Sequence, residues 1–269
     1  MNEQPLVAAV VTAGWSPRED DPLAEYTQGK PKALIPIAGK PMITHVMDAL
    51  AGSRYIKHFV IVALDPAAEV QFPVPVEYVP DAGGILANAE AGVQYAMDHY
   101  TDLDAILLST SDVPTITPTI VDAFIEECLH TDHDLYYSIV ERSVMEARFP
   151  ESRRSYIHLR EGDFAGGDII LIRSSLTLSR QELWGNLAKA RKNALRQARM
   201  FGLWPFFKLV IRRLSLAEAE RRACKALNVQ GRAVPFPYAE VGMDVDKPFQ
   251  LEIARAELEA RAANTFDTL

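Results

Sequence analysis

The sequence contains few cysteines and no long apolar run. Its two cysteines, Cys128 and Cys224, do not lie in C-x-x-C or C-x-x-H patterns. A disulfide framework is therefore excluded by number, and a zinc site is not expected. No segment approaches the roughly 20 apolar residues that a membrane-spanning helix requires, and the first apolar segment is not preceded by the basic residues of a signal peptide. We therefore expect a cytoplasmic protein with free thiols.

An excess of positive charge is also missing. The chain carries 28 Lys or Arg and 36 Asp or Glu, a formal net charge of −8, which argues against a general nucleic-acid binder. The exception is the segment 180–225, where twelve Lys or Arg and three Glu give a local charge of +9 and leave −17 on the rest of the chain. This segment therefore differs in kind from its surroundings.

Strand-like and helix-like segments alternate along most of the chain. The predicted strands are 6–12, 58–64, 76–79, 105–109, 134–141, 155–160, 168–172 and 231–238. The predicted helices before and after the basic segment are 41–50, 85–99, 118–129, 215–227 and 248–262. The alternation predicts one three-layer α/β/α domain over 1–269, with a mainly parallel mixed sheet and a helical insertion at about 179–228. In such sheets, ligands bind beyond the carboxyl ends of the strands.

A glycine turn follows the first predicted strand. Residues 12–18 read Thr-Ala-Gly-Trp-Ser-Pro-Arg, and residues 30–42 read Lys-Pro-Lys-Ala-Leu-Ile-Pro-Ile-Ala-Gly-Lys-Pro-Met. The small residues Ala13, Gly14 and Ser16 let backbone N–H groups approach phosphate oxygens closely. Arg18 and Lys32 add the positive charge that a triphosphate requires. A plain strand–helix turn with two solvated cations is the alternative.

The two segments together resemble a known family. Nucleotidyltransferases with a glycosyltransferase-A-like fold, among them the MobA-like molybdenum-cofactor guanylyltransferases, sugar-1-phosphate nucleotidyltransferases and methylerythritol-phosphate cytidylyltransferase, share the pattern L-A-[AG]-G-x-[SG]-x-R followed by K-x-L-x-P-[IVL]-x-G-K-P. Val11–Arg18 and Lys32–Pro41 match it nearly position by position. Thr12 replaces the usual alanine, and the loop from Arg18 to Lys32 is longer and more acidic than is usual in the family.

The resemblance implies an activity. The family transfers a nucleoside monophosphate from a nucleoside triphosphate (NTP) to an acceptor and releases pyrophosphate. For this chain the implied acceptor is a small phosphorylated molecule, such as a sugar or polyol phosphate or a cofactor precursor. Positioning and charge neutralisation would carry the rate, with Lys32, Arg18 and Mg²⁺ as the charges. No general base is needed because a phosphate nucleophile is already ionised.

A second glycine segment lies at 81–88, between a predicted strand and a predicted helix. In the family this region borders the base of the bound nucleotide, so the resemblance assigns Gly83 and Gly84 to nucleotide binding. It also places Asn88 within reach of the base or the ribose. For Asn88 taken alone, a loop leading into a helix is nearly as good an explanation.

Two acidic segments indicate a metal site. Asp112 follows a buried strand, where a carboxylate is costly unless it is paired or bound to a cation. Ser111-Asp112-Val-Pro114 resembles the family's Mg²⁺-binding G-D-x-P segment, with Ser111 in the nucleotide site; a helix N-cap is the alternative for Asp112. Near the C-terminus, residues 244–251 resemble the family's [DN]-x-[DN]-x-P-x-[DE]-L segment, one residue of which completes the metal site. The spacing to Pro248 and Leu251 favours Asp246 as this second ligand, with Asp244 as the alternative. Oxygen ligands on separate strand ends suit Mg²⁺.

The acceptor site is less constrained by the sequence. Gly166, Gly167 and Asp168 open a predicted strand where the family's acceptor pocket lies, and Asp168 is placed to bind a hydroxyl group. A tight β-turn is an equally good account of this segment. The basic segment 180–225 mixes aromatic and cationic residues, which indicates an interfacial helix on anionic lipid or a lid over the acceptor. A hairpin packed on the core, or a dimer contact, is the alternative.

Two other functions share this fold class. A glycosyltransferase that uses a nucleotide sugar typically carries an Asp-x-Asp metal motif after a mid-sheet strand, and the segment at Asp112 lacks the first aspartate. A non-catalytic nucleotide-binding regulatory domain is the other. The joint presence of Arg18, Lys32, Asp112 and Asp246 favours a catalytic site.

Overall fold

The computed structural model describes residues 4–16, 20–179 and 214–266. Its strands are β1 (Val7–Thr12), β2 (Pro36–Ile37), β3 (Lys40–Pro41), β4 (Ile56–Val62), β5 (Glu77–Val79), β6 (Ala105–Thr110), β7 (Leu135–Glu141), β8 (Ile157–His158), β9 (Asp163–Arg173) and β10 (Gly231–Pro235). The α-helices of these residues are α1 (Ala24–Thr27), α2 (Met42–Ala51), α3 (Ile85–His99), α4 (Pro118–Leu129), α5 (Arg142–Arg148), α6 (Leu216–Leu227) and α7 (Pro248–Phe266).

Eight of the strands form one mixed sheet. Its order is β10-β7-β9-β6-β1-β4-β5, with β8 paired to β9. The strands β6, β1, β4 and β5 are mutually parallel, whereas β9 runs antiparallel to both β6 and β7. The short strands β2 and β3 form a separate hairpin. This arrangement confirms the predicted mainly parallel mixed sheet.

Side chains of β1 alternate between two buried faces. Val7, Ala9 and Val11 pack into a core shared with α2 and α4. Ala8 and Val10 pack into a second core, which includes residues of α3. Because β1 is buried on both sides, it reads as a continuous apolar run in the sequence. Helices therefore cover both faces, which confirms the three-layer α/β/α architecture.

The predicted helices that lie within the described residues are present. The structure places α3 and α4 over the predicted ranges 85–99 and 118–129. Thr117 caps α4 by accepting a hydrogen bond from the Ile120 N–H, with proline in the first turn. Ser215 caps α6 in the same way, by accepting a hydrogen bond from the Glu218 N–H, as in a capping box. These local signals fix where both helices begin.

The largest difference lies at β9. This strand begins at Asp163, so the Gly166–Gly167 pair predicted to open a strand or form a tight turn lies inside it. The predicted strand 231–238 also ends earlier, at Pro235. The helix α5 between β7 and β8 has no counterpart among the predicted elements.

The predicted insertion is described only at its edges. A 3₁₀ helix at Ser174–Ser179 precedes it and α6 closes it. The described residues do not include 180–213. Most of the segment 180–225, for which a membrane or dimer contact is predicted, therefore lies outside them. Within the described ranges, no helix is both long enough and apolar enough to cross a membrane.

Candidate active site

Three strand ends meet at one edge of the sheet. Where β1 ends, the Ala13 N–H donates to the Val62 carbonyl of β4 at 2.9 Å, and the Ser111 N–H donates to the Thr12 carbonyl at 3.0 Å. The Val245 N–H then donates to the Asp112 carbonyl at 2.9 Å. These bonds bring the glycine turn, the Ser111–Asp112 segment and the C-terminal acidic segment to the same edge.

The buried side chain of Asn88 lies against the glycine turn. This side chain is 2% exposed, and its Oδ1 accepts a hydrogen bond from the Ala82 N–H at 2.7 Å. A Cβ on Gly14 would lie 2.4 Å from Asn88 Nδ2, so the turn approaches Asn88 as only glycine can. The buried position makes Asn88 a support that joins the turn to the loop carrying Gly83 and Gly84.

Gly83 and Gly84 adopt backbone conformations that favour glycine. Their φ values are +90° and +147°, and a Cβ on either would meet no atom within 4 Å. The Gly83 N–H donates to Asp81 Oδ1 at 3.0 Å, and the Asn88 N–H donates to the Gly84 carbonyl at 2.8 Å. The open space over both residues leaves them accessible to a ligand. Ser16 is likewise exposed, whereas Ala13 and Ser111 are buried.

Replacing Gly14 with alanine is expected to weaken NTP binding about tenfold, since the turn or Asn88 must shift by several tenths of an ångström and the backbone donors lose alignment. Isothermal titration calorimetry with NTP and Mg²⁺ measures this. Gly231→Ala serves as the control, because a Cβ there would lie 3.5 Å from Cys224 Sγ, an ordinary contact, on the edge strand β10. Equal affinity of the Gly14 variant and the unmodified protein would contradict the role of the turn.

Lys32 stands between two carboxylates. It begins a 3₁₀ turn, and its Nζ lies 2.5 Å from Asp112 Oδ2 and 2.7 Å from Asp246 Oδ1. Burial of the ammonium group lowers the pKa of Lys32, but the charges of Asp112 and Asp246 outweigh this and raise it above its usual value. Desolvation acts to raise the pKa of Asp246, and Lys32 reverses this so that the net shift is downward. Lys32 and Asp246 are therefore both charged near neutral pH.

Asp112, Asp244 and Asp246 form a carboxylate cluster. Each contributes an oxygen, and these oxygens lie within 4.8 Å of one another. Asp112 Oδ1 is buried and accepts no hydrogen bond from the described residues. The Asp246 N–H donates to Gln250 Oε1 at 3.0 Å, which anchors the segment to the start of α7.

Asp168 lies on β9 beside the end of β6. Its neighbour Ile169 pairs with Ser109, and its own Oδ2 is buried without a hydrogen-bond partner among the described residues. Burial raises the pKa of Asp168 to about 7, with the charge of Asp112 acting in the same direction and that of Arg154 opposing it. Asp168 is thus a carboxyl group that changes charge close to neutral pH.

The raised pKa predicts that Asp168→Asn stabilises the protein at high pH. Because the folded protein holds a proton on Asp168 between about pH 4 and 7 that the unfolded chain has released, the free energy of unfolding falls as pH rises through this window. Above pH 7 the ionised Asp168 lowers the free energy of unfolding by at most about 4 kcal/mol. We expect the variant to have a higher Tm than the unmodified protein at pH 8, and a smaller or reversed difference at pH 5, by thermal unfolding in EDTA.

The exposed substitution Asp98→Asn is the control for that experiment, because it removes one carboxylate on the surface of α3. A Tm difference for Asp168→Asn that is the same at pH 5 and pH 8 would contradict the assigned titration.

The glycines before Asp168 have a structural explanation. A Cβ on Gly166 would lie 2.3 Å from the Tyr137 hydroxyl oxygen, and one on Gly167 would lie 2.2 Å from Ser138 Oγ. These close approaches are made by side chains of β7, so they account for both glycines without an acceptor. Asp168 lies near the carboxylate cluster, since the charges of Asp112 and Asp246 both act on it.

Two arginines complete the description of the site. Arg18, predicted to contact the triphosphate, lies outside the described residues. Arg154 is absent from the predicted site, yet its guanidinium forms an ion pair with Asp244 Oδ1. The Arg153–Arg154 doublet is visible in the sequence, but no spacing rule connects it with an aspartate about 90 positions later.

Comparison with known proteins gives three findings. The sequence pattern of the MobA-like NTP transferase domain matches residues 8–200. A probable molybdenum cofactor guanylyltransferase of Pyrococcus horikoshii is 30% identical over 122 residues, which are 45% of this chain and 56% of that relative. This chain thus matches little more than half the length of that relative.

The third finding is that solved structures resemble the chain over nearly its whole length. A hypothetical transferase from Thermus thermophilus has a TM-score of 0.78 and 35% identity, covering 93% of this chain and all of the other. A 4-diphosphocytidyl-2C-methyl-D-erythritol synthase from Anaerococcus prevotii has a TM-score of 0.57 and 9% identity, covering 95% and 97%. The second similarity concerns the fold alone, and it agrees with a glycosyltransferase-A-like architecture.

Proposed function

The chain belongs to the MobA-like NTP transferase family, and we propose on this basis that it transfers a nucleoside monophosphate from an NTP to a small phosphorylated acceptor, with release of pyrophosphate. The relative named as a probable guanylyltransferase supports nucleotidyl transfer. The proposal is carried by one observation: Lys32 Nζ contacts both Asp112 and Asp246 at the edge of the sheet where the glycine turn begins.

The glycine turn supports binding of the triphosphate. Backbone N–H groups after a buried strand form an anion-binding cradle, and the close approach of Gly14 to Asn88 leaves the backbone free of side-chain bulk. Lys32 supplies the charge beside it. On binding of the triphosphate, we expect the Lys32 ammonium group to turn from the two aspartates toward phosphate oxygens.

The carboxylate cluster fits Mg²⁺. Its ligands are all oxygens, Asp112 Oδ1 is buried without a hydrogen-bond partner among the described residues, and Lys32 already places a positive charge between Asp112 and Asp246. Asp244 is paired with Arg154, so we assign Asp112 and Asp246 as the protein ligands. Bound there, Mg²⁺ would neutralise charge on the phosphate oxygens.

The reaction requires little covalent work from the protein. An oxygen of the acceptor phosphate forms a bond to the α-phosphorus, and the bond from that phosphorus to the bridging oxygen of the β-phosphate breaks, releasing pyrophosphate. No proton has to be removed from an ionised phosphate. The side chains therefore act by holding the reactants in line and by neutralising charge.

Pyrophosphate release tests the proposal. The protein is incubated with Mg²⁺, each of the four NTPs and a panel of sugar, polyol and cofactor-precursor phosphates. We expect release with at least one pair, and none when the acceptor is omitted. Absence of release with every pair, together with no NTP binding by calorimetry, would contradict both this function and a regulatory nucleotide-binding role.

A parallel experiment distinguishes the proposed nucleotidyl transfer from the glycosyltransferase alternative. Nucleotide sugars replace the NTPs, and release of nucleoside diphosphate is followed instead. Turnover in this arm alone would favour glycosyl transfer over nucleotidyl transfer.

A further inference from the structure

A pocket of about 450 Å³ is lined in part by Arg154, the ion-pair partner of Asp244 in the carboxylate cluster. Its lining, which we call the arginine pocket, includes Arg142, Ser152, Arg153, Arg154, Tyr156 and His158. The volume lies in the range of sites that hold small molecules. Arg154 connects the pocket with the cluster through its ion pair with Asp244. A molecule in the pocket is therefore separated from Asp244 of the carboxylate cluster by the Arg154 side chain.

Two buried donors of the arginine pocket lack acceptors among the described residues. Ser152 is 1% exposed and its Oγ has no hydrogen-bond partner there. The Arg154 side chain is 15% exposed, and its Nε also has none. A buried donor without an acceptor costs free energy, so such groups in a folded protein call for an explanation. An oxyanion in the pocket would accept hydrogen bonds from both.

The remaining cations of the pocket also have carboxylate partners. Arg142 donates to Glu146 at 2.7 Å, and Asp163 lies 2.6 Å from His158. Arg153 is mostly exposed; its guanidinium lies 3.7 Å from Glu151 and 5.3 Å from the centre of the Phe249 ring. Each arginine therefore has a carboxylate partner. The lining nevertheless contains three arginines and one glutamate, Glu146, so it carries a net positive charge.

We propose that the arginine pocket is the acceptor site and that Arg154 and Ser152 bind an oxyanion of the acceptor, either a phosphate or a carboxylate group. The assignment of the ligand as the acceptor rests on the proposed function; the binding of an oxyanion does not. Guanidinium groups bind both anions with paired, directional hydrogen bonds, and Arg154 joins the pocket to Asp244 of the carboxylate cluster.

Calorimetry with inorganic phosphate and with malonate tests the pocket. The nucleotide site is first filled with Mg²⁺ and a non-hydrolysable NTP analogue, and the binding of that analogue separately tests the proposed function. The anion is then titrated into the unmodified protein and into the Ser152→Ala, Arg154→Lys and Arg160→Met variants. Ser152→Ala removes an unpartnered hydroxyl group, so it leaves the fold intact. Arg160 is an exposed arginine outside the lining and serves as the control.

We expect Ser152→Ala and Arg154→Lys each to weaken binding of the anion about tenfold, with Arg160→Met unchanged. The tighter of the two anions identifies the class of oxyanion. If the analogue does not bind, the same titration is made on the free protein, with Lys32→Ala to show whether the anion occupies the glycine turn instead. The inference is overturned if neither anion binds, if Ser152→Ala and Arg154→Lys bind as the unmodified protein does, or if Lys32→Ala abolishes binding.

Discussion

Replacing Asp112 with asparagine is expected to lower kcat/KM for nucleotidyl transfer by about 10³-fold, equivalent to several kcal/mol of transition-state stabilisation. Asp112 follows the end of β6, has one buried oxygen without a hydrogen-bond partner among the described residues, and shares Lys32 with Asp246. An amide keeps the size of the side chain but removes the negative charge that a cation requires. Initial rates of pyrophosphate release over a range of Mg²⁺ concentrations measure the effect.

Asp98→Asn is the matched control, because it makes the same chemical change at an exposed position of α3. It should leave kcat/KM unchanged. The Asp112 variant should also require a higher Mg²⁺ concentration for half-maximal activity. Full activity of Asp112→Asn at the same Mg²⁺ concentration would show that Asp112 is not a metal ligand.

Replacing Lys32 with alanine is expected to lower kcat/KM by about 10²- to 10³-fold, the range seen when one preorganised charge or donor is removed from an active site. In the absence of nucleotide, the thermal stability of the same variant should also respond more strongly to Mg²⁺ than that of the unmodified protein. Without the ammonium group, Asp112 and Asp246 repel each other, and the protein is destabilised until a cation replaces it.

Thermal unfolding with EDTA and with Mg²⁺ measures this second effect. We expect a lower Tm for Lys32→Ala in EDTA, and a larger rise in Tm on addition of Mg²⁺ than in the unmodified protein. Lys57→Ala, which changes an exposed lysine at the start of β4, should match the unmodified protein in both respects. A Lys32 variant with full activity, or one whose Tm does not respond to Mg²⁺, would contradict the account of Lys32.

Much of the fold was predictable because local and long-range signals agree. The helices α3 and α4 have the predicted bounds, since proline and threonine mark the start of α4 and an apolar stripe defines its buried face. At β9 the signals conflict. Gly166 and Gly167 are typical of a turn, but within the strand the side chains of Tyr137 and Ser138 from β7 occupy the space that a Cβ at either glycine would take. A single sequence does not contain that pairing.

The candidate site was predictable to a different degree at each residue. Gly14 and Asp112 follow strands, and the resemblance to the family assigned Asp246, so the three could be placed at one edge of the sheet. The expectation that both ligands lie at strand ends was wrong for Asp246, which lies between the 3₁₀ helix Ala239–Gly242 and α7. The contact of Lys32 with both aspartates spans 80 and 214 positions. The pairing of Arg154 with Asp244 is similarly remote. Such contacts arise from the three-dimensional arrangement of strands and loops, and no periodicity along the chain encodes them.

Equilibrium binding of an NTP with and without Mg²⁺ tests the central claim most directly, because it asks whether the glycine turn, Lys32 and the carboxylate cluster form one site. By calorimetry, we predict that at least one NTP binds the unmodified protein in Mg²⁺ and binds at least about tenfold more weakly in EDTA. Asp98→Asn should behave like the unmodified protein, and Asp112→Asn should lose most of the effect of Mg²⁺. Binding that is equally tight in EDTA, or no binding of any NTP, would contradict the claim.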